Sequence, residues 1–139
     1  MNITDQDKEL ITLAKSLVKK EVIPGGVVGE VGAAMRTTDG EVFSGVCMHL
    51  VCGLGFCAEH TAIANAVTKS TSVEIDTIVA VNSIDIIPPC GRCRELMNVL
   101  SENSSKTQVI MSEQEKVPLT ELLPRAWSPV RAKASHPEA

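Results

Sequence analysis

Two short segments hold the residues best suited to chemistry: Cys57-Ala58-Glu59 and Pro89-Cys90-Gly91-Arg92-Cys93. Each stands where a predicted helix begins. Cysteines at i and i+3 of a first helical turn project to the same side, so Cys90 and Cys93 can grip one ion. Helix N-termini also favour the thiolate, the form of cysteine that binds metal. Three thiolates around Zn2+ leave the fourth tetrahedral position open, the arrangement of a catalytic rather than a structural centre. Water in that position ionises near neutral pH and becomes a nucleophile. Glu59 lies two residues after Cys57, beside the metal without ligating it. It is placed to take a proton from the water and return it to the group being displaced.

Plainer readings compete. A CxxC pair alone also marks redox sites and structural zinc. A structural centre would need a fourth ligand from Cys47, Cys52, His49 or His60. The combination of CxE, a gap of 33 residues from 57 to 90, and PCxxC is more specific. That pattern, in its three-cysteine form, belongs to zinc-dependent base deaminases.

The elements that must position these groups follow from periodicity. Residues 4–20 carry apolar side chains at Leu10, Ile11, Leu13, Ala14, Leu17 and Val18, a helical spacing capped by Thr4 or Asp5. Ile23-Pro24-Gly25-Gly26 breaks the chain. Residues 28–48 read as a hairpin turning at Thr38-Asp39-Gly40. A loop over 53–55 leads to a helix over 56–70, and 75–82 is a continuous apolar run of buried-strand type. After Pro88-Pro89 a helix is predicted over 90–103, a strand over 107–113, and a short helix over 118–127 ended by Pro124. Helices alternating with buried strands predict an α/β domain: three layers, α-β-α, around a central mixed sheet. We expect one domain over 1–130 and a polar tail over 131–139.

The totals narrow the function classes. The 139 residues are 44% hydrophobic and 22% charged, with net charge −4. The pI is near 5.4. This balance disfavours a polymeric nucleic acid as partner. No apolar run reaches the length of a membrane span, and the acidic start, MNITDQDKEL, predicts no secretory signal and a cytoplasmic location. The five cysteines, an odd number, suit metal binding better than a disulfide framework. Only Phe43, Phe56 and Trp127 are aromatic, so stacking partners for a planar ligand are few.

On these residues the chain resembles the cytidine deaminase family, including its blasticidin-S deaminase relatives. The likeness runs from about Val31 to Pro129 through VGAAM (31–35), DGEVFSG (39–45), CAEHTAI (57–63), DTIVAV (76–81), PCGRCRE (89–95) and ELLPRAWSP (121–129). It implies the zinc deaminase fold, Cys57, Cys90 and Cys93 as zinc ligands, Glu59 as proton shuttle, and hydrolytic release of ammonia from a cytosine-like nucleoside or analogue. It also implies a homotetramer, or a homodimer, with sites built across subunit contacts. In the family an Asn-x-Glu segment binds the ribose hydroxyls; Cys47 and His49 occupy those positions here, while by residue type Cys47 and Cys52 read as small buried hydrophobes. Blasticidin S or another modified base is the alternative substrate, and a non-catalytic zinc module the alternative class. His60 stands where the family often has an arginine offsetting thiolate charge, which leaves Arg92 and Arg94 as replacements. Trp127 takes the place of a phenylalanine that stacks on the base from a neighbouring subunit. Phe56 and Ala58, flanking Cys57, are expected at the substrate.

Overall fold

The computed structural model describes residues 2–127. The chain starts with helix α1 (Asp5–Leu17), set by a reciprocal cap. The Thr4 hydroxyl accepts the Asp7 backbone N–H at 3.2 Å, and the Asp7 carboxylate accepts the Thr4 N–H at 3.0 Å. Strands β1 (Glu21–Ile23), β2 (Gly26–Thr37) and β3 (Val42–Leu50) follow as antiparallel neighbours. The β2–β3 turn falls at Asp39-Gly40 as the sequence predicts, with Gly40 at φ 88°. Helix α2 (Ala58–Lys69) leads to β4 (Ile75–Val81) and the two-residue β5 (Ile86–Ile87). Helix α3 (Gly91–Leu100), β6 (Gln108–Ile110), β7 (Lys116–Pro118) and the one-turn α4 (Leu119–Leu122) complete the described elements.

The path β1-β2-β4-β6-β7 forms one sheet, with β3 on the other side of β2 and β5 on β4. Strand β4 is antiparallel to β2 and parallel to β6, so the sheet is mixed. Alternation along the strands divides the core. Ala34 and Val79 pack with Leu10, Ile11 and Ala14 of α1 on one face. Met35 and Ile78 pack with Ala62, Ile63 and Ala66 of α2 and Cys93 and Met97 of α3 on the other. This is the expected three-layer α-β-α architecture.

On the α1 side the sheet buries charge. Asp7 is 0% exposed. It accepts hydrogen bonds from Lys116 Nζ at 2.7 Å and Arg36 Nη2 at 3.0 Å, and Arg36 also reaches Asp76 at 2.8 Å. Burial raises the Asp7 carboxyl pKa. The bonds from Lys116, the Thr4 N–H and Arg36 outweigh it and hold the group at about 2.

Several boundaries differ from expectation for identifiable reasons. Helix α2 begins at Ala58 rather than Phe56, because Phe56 exchanges two backbone hydrogen bonds with Met48, each 3.0 Å. Helix α3 ends at Leu100, where Ser101 turns extended. The last helix stops at Leu122, since Leu123 precedes Pro124 and leaves the helical region at φ −142°, ψ 67°. Strands β1, β5 and β7 are two or three residues long, too short for alternation to mark them. The tail over 131–139 and the last matched residues, Ser128 and Pro129, lie outside the described residues. Among those described, no helix is long and apolar enough to cross a membrane.

Candidate metal centre and adjoining cavity

Cys57 and Cys90 occupy equivalent places, each the N-cap of its helix in extended conformation, and neither side chain caps. Freed from capping, both sulfurs turn toward Cys93 on the first turn of α3. Their Sγ atoms are 3.3 Å apart, and all three sulfurs lie within 4.8 Å of one another. Three thiolates carried on bonds of about 2.3 Å to one tetrahedral ion require separations of this order, so the donor set fits zinc. Among the described residues no other His, Cys, Asp or Glu joins the group, which removes the four-ligand structural centre drawn from Cys47, Cys52, His49 or His60.

The electrostatics agree. Burial pushes the Cys57 thiol up to about 11, with neighbouring Cys90 and Glu59 adding to it. Burial likewise pushes Cys93 up, assisted by the charges of Glu59, Cys57 and Cys90. Cys90 is also raised by burial, but the backbone N–H groups of Cys93 and Arg92 and the two partner thiols bring it down overall. Three acidic groups and a carboxylate thus converge where only helix N-terminal dipoles oppose their repulsion; a divalent cation relieves it.

Glu59 sits on the first turn of α2 and is 4% exposed. Burial raises its carboxyl pKa, opposed only by its own backbone N–H. His60, next along, has a buried Nδ1 without a hydrogen-bond partner among the described residues. Its ring lies 4.7 Å from that of Phe56, tilted by 33°. Burial lowers its pKa, and the charge of Arg92 lowers it further.

A cavity of about 580 Å³ opens against this cluster, with Cys57, Phe56, His49, Met48, Arg92 and Gly26 among its walls. Cys57, Phe56, His49 and Arg92 share this wall. Other expected residues do not line it. Cys47 is 1% exposed and packs with Ala33, Ala58 and Ala80, its Sγ receiving the Val31 N–H at 3.2 Å. The pleat turns it inward, so it is a core residue rather than a ligand contact. Ala58 is wholly buried in the same cluster. Arg94 is committed to main-chain carbonyls, Nε to Pro89 at 2.8 Å and Nη1 to Leu122 at 3.0 Å, where it ties α3 to α4. Trp127 is 46% exposed and lies outside the cavity lining, its carbonyl accepting from Asn98 Nδ2 at 2.5 Å.

Met48 and the glycine pair Gly25-Gly26 line the cavity and were not anticipated. The glycines were the available signal. A Cβ on Gly55 would stand 2.0 Å from the Met48 carbonyl oxygen, and one on Gly26 would stand 2.0 Å from that of His49. Main chain presses on main chain at both places.

A model of the cytidine and deoxycytidylate deaminase zinc-binding region matches residues 4–111. Blasticidin-S deaminase of Bacillus cereus is 34% identical over 137 residues, 91% of this chain and 96% of that protein. Cytidine deaminase of Halalkalibacterium halodurans is 30% identical over 102 residues, 71% of this chain and 77% of its own length. Among solved structures, cytidine deaminase from Mycobacterium tuberculosis superposes with a TM-score of 0.76 at 24% identity, covering 90% of this chain and 98% of that one; this likeness concerns the fold.

Proposed function

The chain belongs to the cytidine and deoxycytidylate deaminase family and is a zinc-dependent hydrolytic deaminase; from that footing we propose that it removes the exocyclic amine of a cytosine-like nucleoside or nucleoside analogue as ammonia. Cys57, Cys90 and Cys93 hold the zinc, and Glu59 handles the protons. When bound, the metal supplies Lewis acidity, which generates a nucleophile from water at neutral pH. Phe56 walls the base side of the cavity. The carboxylate of Glu59, enclosed beside the three sulfurs, takes one proton from the attacking water and gives it to the ring nitrogen, then takes the second from the added hydroxyl and gives it to the departing amine. The observation carrying this reading is a buried carboxylate beside a three-sulfur cluster to which it does not itself contribute a ligand. A structural zinc module has no use for it.

Within this reading, blasticidin S is the second substrate to test. The segment that would bind ribose in cytidine deaminases places Met48 and His49 on the cavity and turns Cys47 away from it, and the relative from Bacillus cereus bears that activity in its name. Assembly into a homotetramer or homodimer is part of the proposal, supported by the exposed apolar side chains of Val51 and Leu54 beside the cavity, 59% and 67% exposed. In such an assembly Trp127 of one copy would stack on the base held by another.

Ammonia release measured across cytidine, deoxycytidine, blasticidin S, adenosine and guanosine tests the function. Release from at least one cytosine compound is expected. A zinc-loaded protein that releases none from any cytosine compound would overturn it.

A further inference from the structure

Helix α3 holds two things at once. Cys90 and Cys93 stand at its start, and Arg94 and Asn98 grip the last part of the described chain. Positions i and i+4 share one helix face, so both side chains act on the same stretch. Arg94 Nη1 donates to the Leu122 carbonyl at 3.0 Å, while its Nε donates at 2.8 Å to the carbonyl of Pro89, next to Cys90. Asn98 Nδ2 donates to the Trp127 carbonyl at 2.5 Å and to Glu95 Oε1 at 3.0 Å. Leu122 and Trp127 are thus pinned to the helix that carries two of the three thiols.

The stretch between the two anchors is loosely seated. Pro124, Arg125 and Ala126 are exposed, and a cavity of about 170 Å³ lies against residues 123–126. Pro124 has no N–H to contribute. Arg125 adopts φ 54°, a left-handed conformation that a residue with a side chain keeps only where its surroundings hold it. Trp127 itself is held by its main chain and not by its ring. It is 46% exposed, lies outside the lining of the cavity beside the thiols, and meets no other aromatic ring among the described residues. A large side chain on a loose segment must be ordered each time it meets a ligand. Fixing its backbone beforehand removes part of that cost.

Resting on the reading in which Trp127 stacks on a base held by another copy, we propose that Asn98 and Arg94 are positioning residues, a clasp that sets where Trp127 meets that base. Each α3 then serves two sites: it ligates metal for its own copy and presents the stacking residue to the next.

The test uses the zinc-loaded full chain with whichever of cytidine, deoxycytidine and blasticidin S it deaminates fastest. Asn98→Leu keeps the side-chain size and removes the donor. It should raise KM roughly 3- to 10-fold, the range of one neutral hydrogen bond, with kcat and zinc content unchanged. Arg94→Lys, a point donor without the fork for two carbonyls, should raise KM less than Arg94→Ala does. Trp127→Ala should raise KM at least as much as Asn98→Leu, and adding Asn98→Leu to it should change nothing further, because the clasp acts through the indole. An unchanged KM in Asn98→Leu, or an equal penalty with and without Trp127, would overturn the proposal. Fluorescence separates this inference from the one it rests on, since Trp127 is the single tryptophan and the chain has no tyrosine. In Glu59→Ala, the same compounds should change the Trp127 emission, with half-saturation moved to higher concentration when Asn98→Leu is added. That shift without ammonia release by the parent would sink the deaminase reading and leave the clasp standing. Emission blind to a compound that the parent deaminates would sink the clasp.

Discussion

The protein buries acidic groups in two places and treats them in opposite ways. On the α1 side of the sheet, Asp7 is fully enclosed and receives Lys116, Arg36 and the Thr4 N–H, so its charge is answered from within the chain. On the α2–α3 side, Glu59 and the Cys93 thiol are also enclosed and the Cys57 thiol is half-buried; burial pushes all three pKa values up, and for the two thiols neighbouring acidic groups add to it. The first cluster is complete and holds α1, β2, β4 and β7 together. The second is complete only with a cation that the chain does not provide. Enclosed charge with its partner inside the fold marks structure; enclosed charge whose partner comes from outside marks function.

Substitutions should separate the two clusters cleanly. The largest expected effect is on catalysis. Glu59→Ala should lower ammonia release by roughly 1,000-fold or more while metal analysis still finds close to one zinc per chain. Undiminished turnover would remove Glu59 from the mechanism and blur the contrast drawn above. Cys90→Ser should instead lose zinc and activity together; full zinc retention on dialysis would exclude it as a ligand. Across the sheet, Asp7→Ala leaves the ammonium of Lys116 and the guanidinium of Arg36 without their buried acceptor. It should cost about 3–5 kcal/mol in urea unfolding. The folded fraction should keep its zinc and its KM; a shifted KM would mean the clusters are coupled.

A smaller effect is set by pH. The Asp7 carboxyl is held at about 2 in the fold against 3.8 in the free side chain. Its contribution, about 2 kcal/mol, is therefore fully present above pH 4 or 5 and lost as pH falls toward 2. The stability gap between the parent and Asp7→Asn should narrow over that window. A gap independent of pH would mean the ion pairs contribute little. The smallest effect belongs to the surface pair of Lys69 and Glu41, 2.5 Å apart and both partly solvated, where Lys69→Ala should leave the urea unfolding midpoint nearly unchanged.

The two clusters were not equally legible in the sequence. The metal-binding cysteines could be read because CxxC imposes local geometry, and because Pro89 and the loop before Cys57 announce helix starts. Thr4 and the Asp39-Gly40 turn were legible for the same local reason. The Asp7 cluster was not, since its partners are 29 and 109 residues away and nothing local in Lys116 or Arg36 signals the meeting. Cys47 reads two ways in the sequence, as a sugar contact by the resemblance and as a small buried hydrophobe by residue type, and the fold gives it the second place; Cys52, read the same way by type, is exposed. The end of β3 decides the place of Cys47: it packs into the core, while Met48, His49 and Leu50, which follow it, reach the cavity. Arg92 and Arg94 illustrate the same limit within α3: two residues apart, the first lines the cavity and the second is bound to carbonyls.

The glycine contacts at the cavity have a consequence for how this enzyme can change. Gly55 presses on the Met48 carbonyl and Gly26 on that of His49, so neither position admits a side chain without moving the end of β3 or the segment that leads to Phe56 and Cys57. That wall is made of main chain and is closed to gradual substitution. The side chains of His49 and Arg92 also line the cavity, and these can be exchanged while the thiols and Glu59 keep their places. New substrates should therefore be reached through positions 49 and 92, by laboratory selection or by descent, with the glycines left untouched.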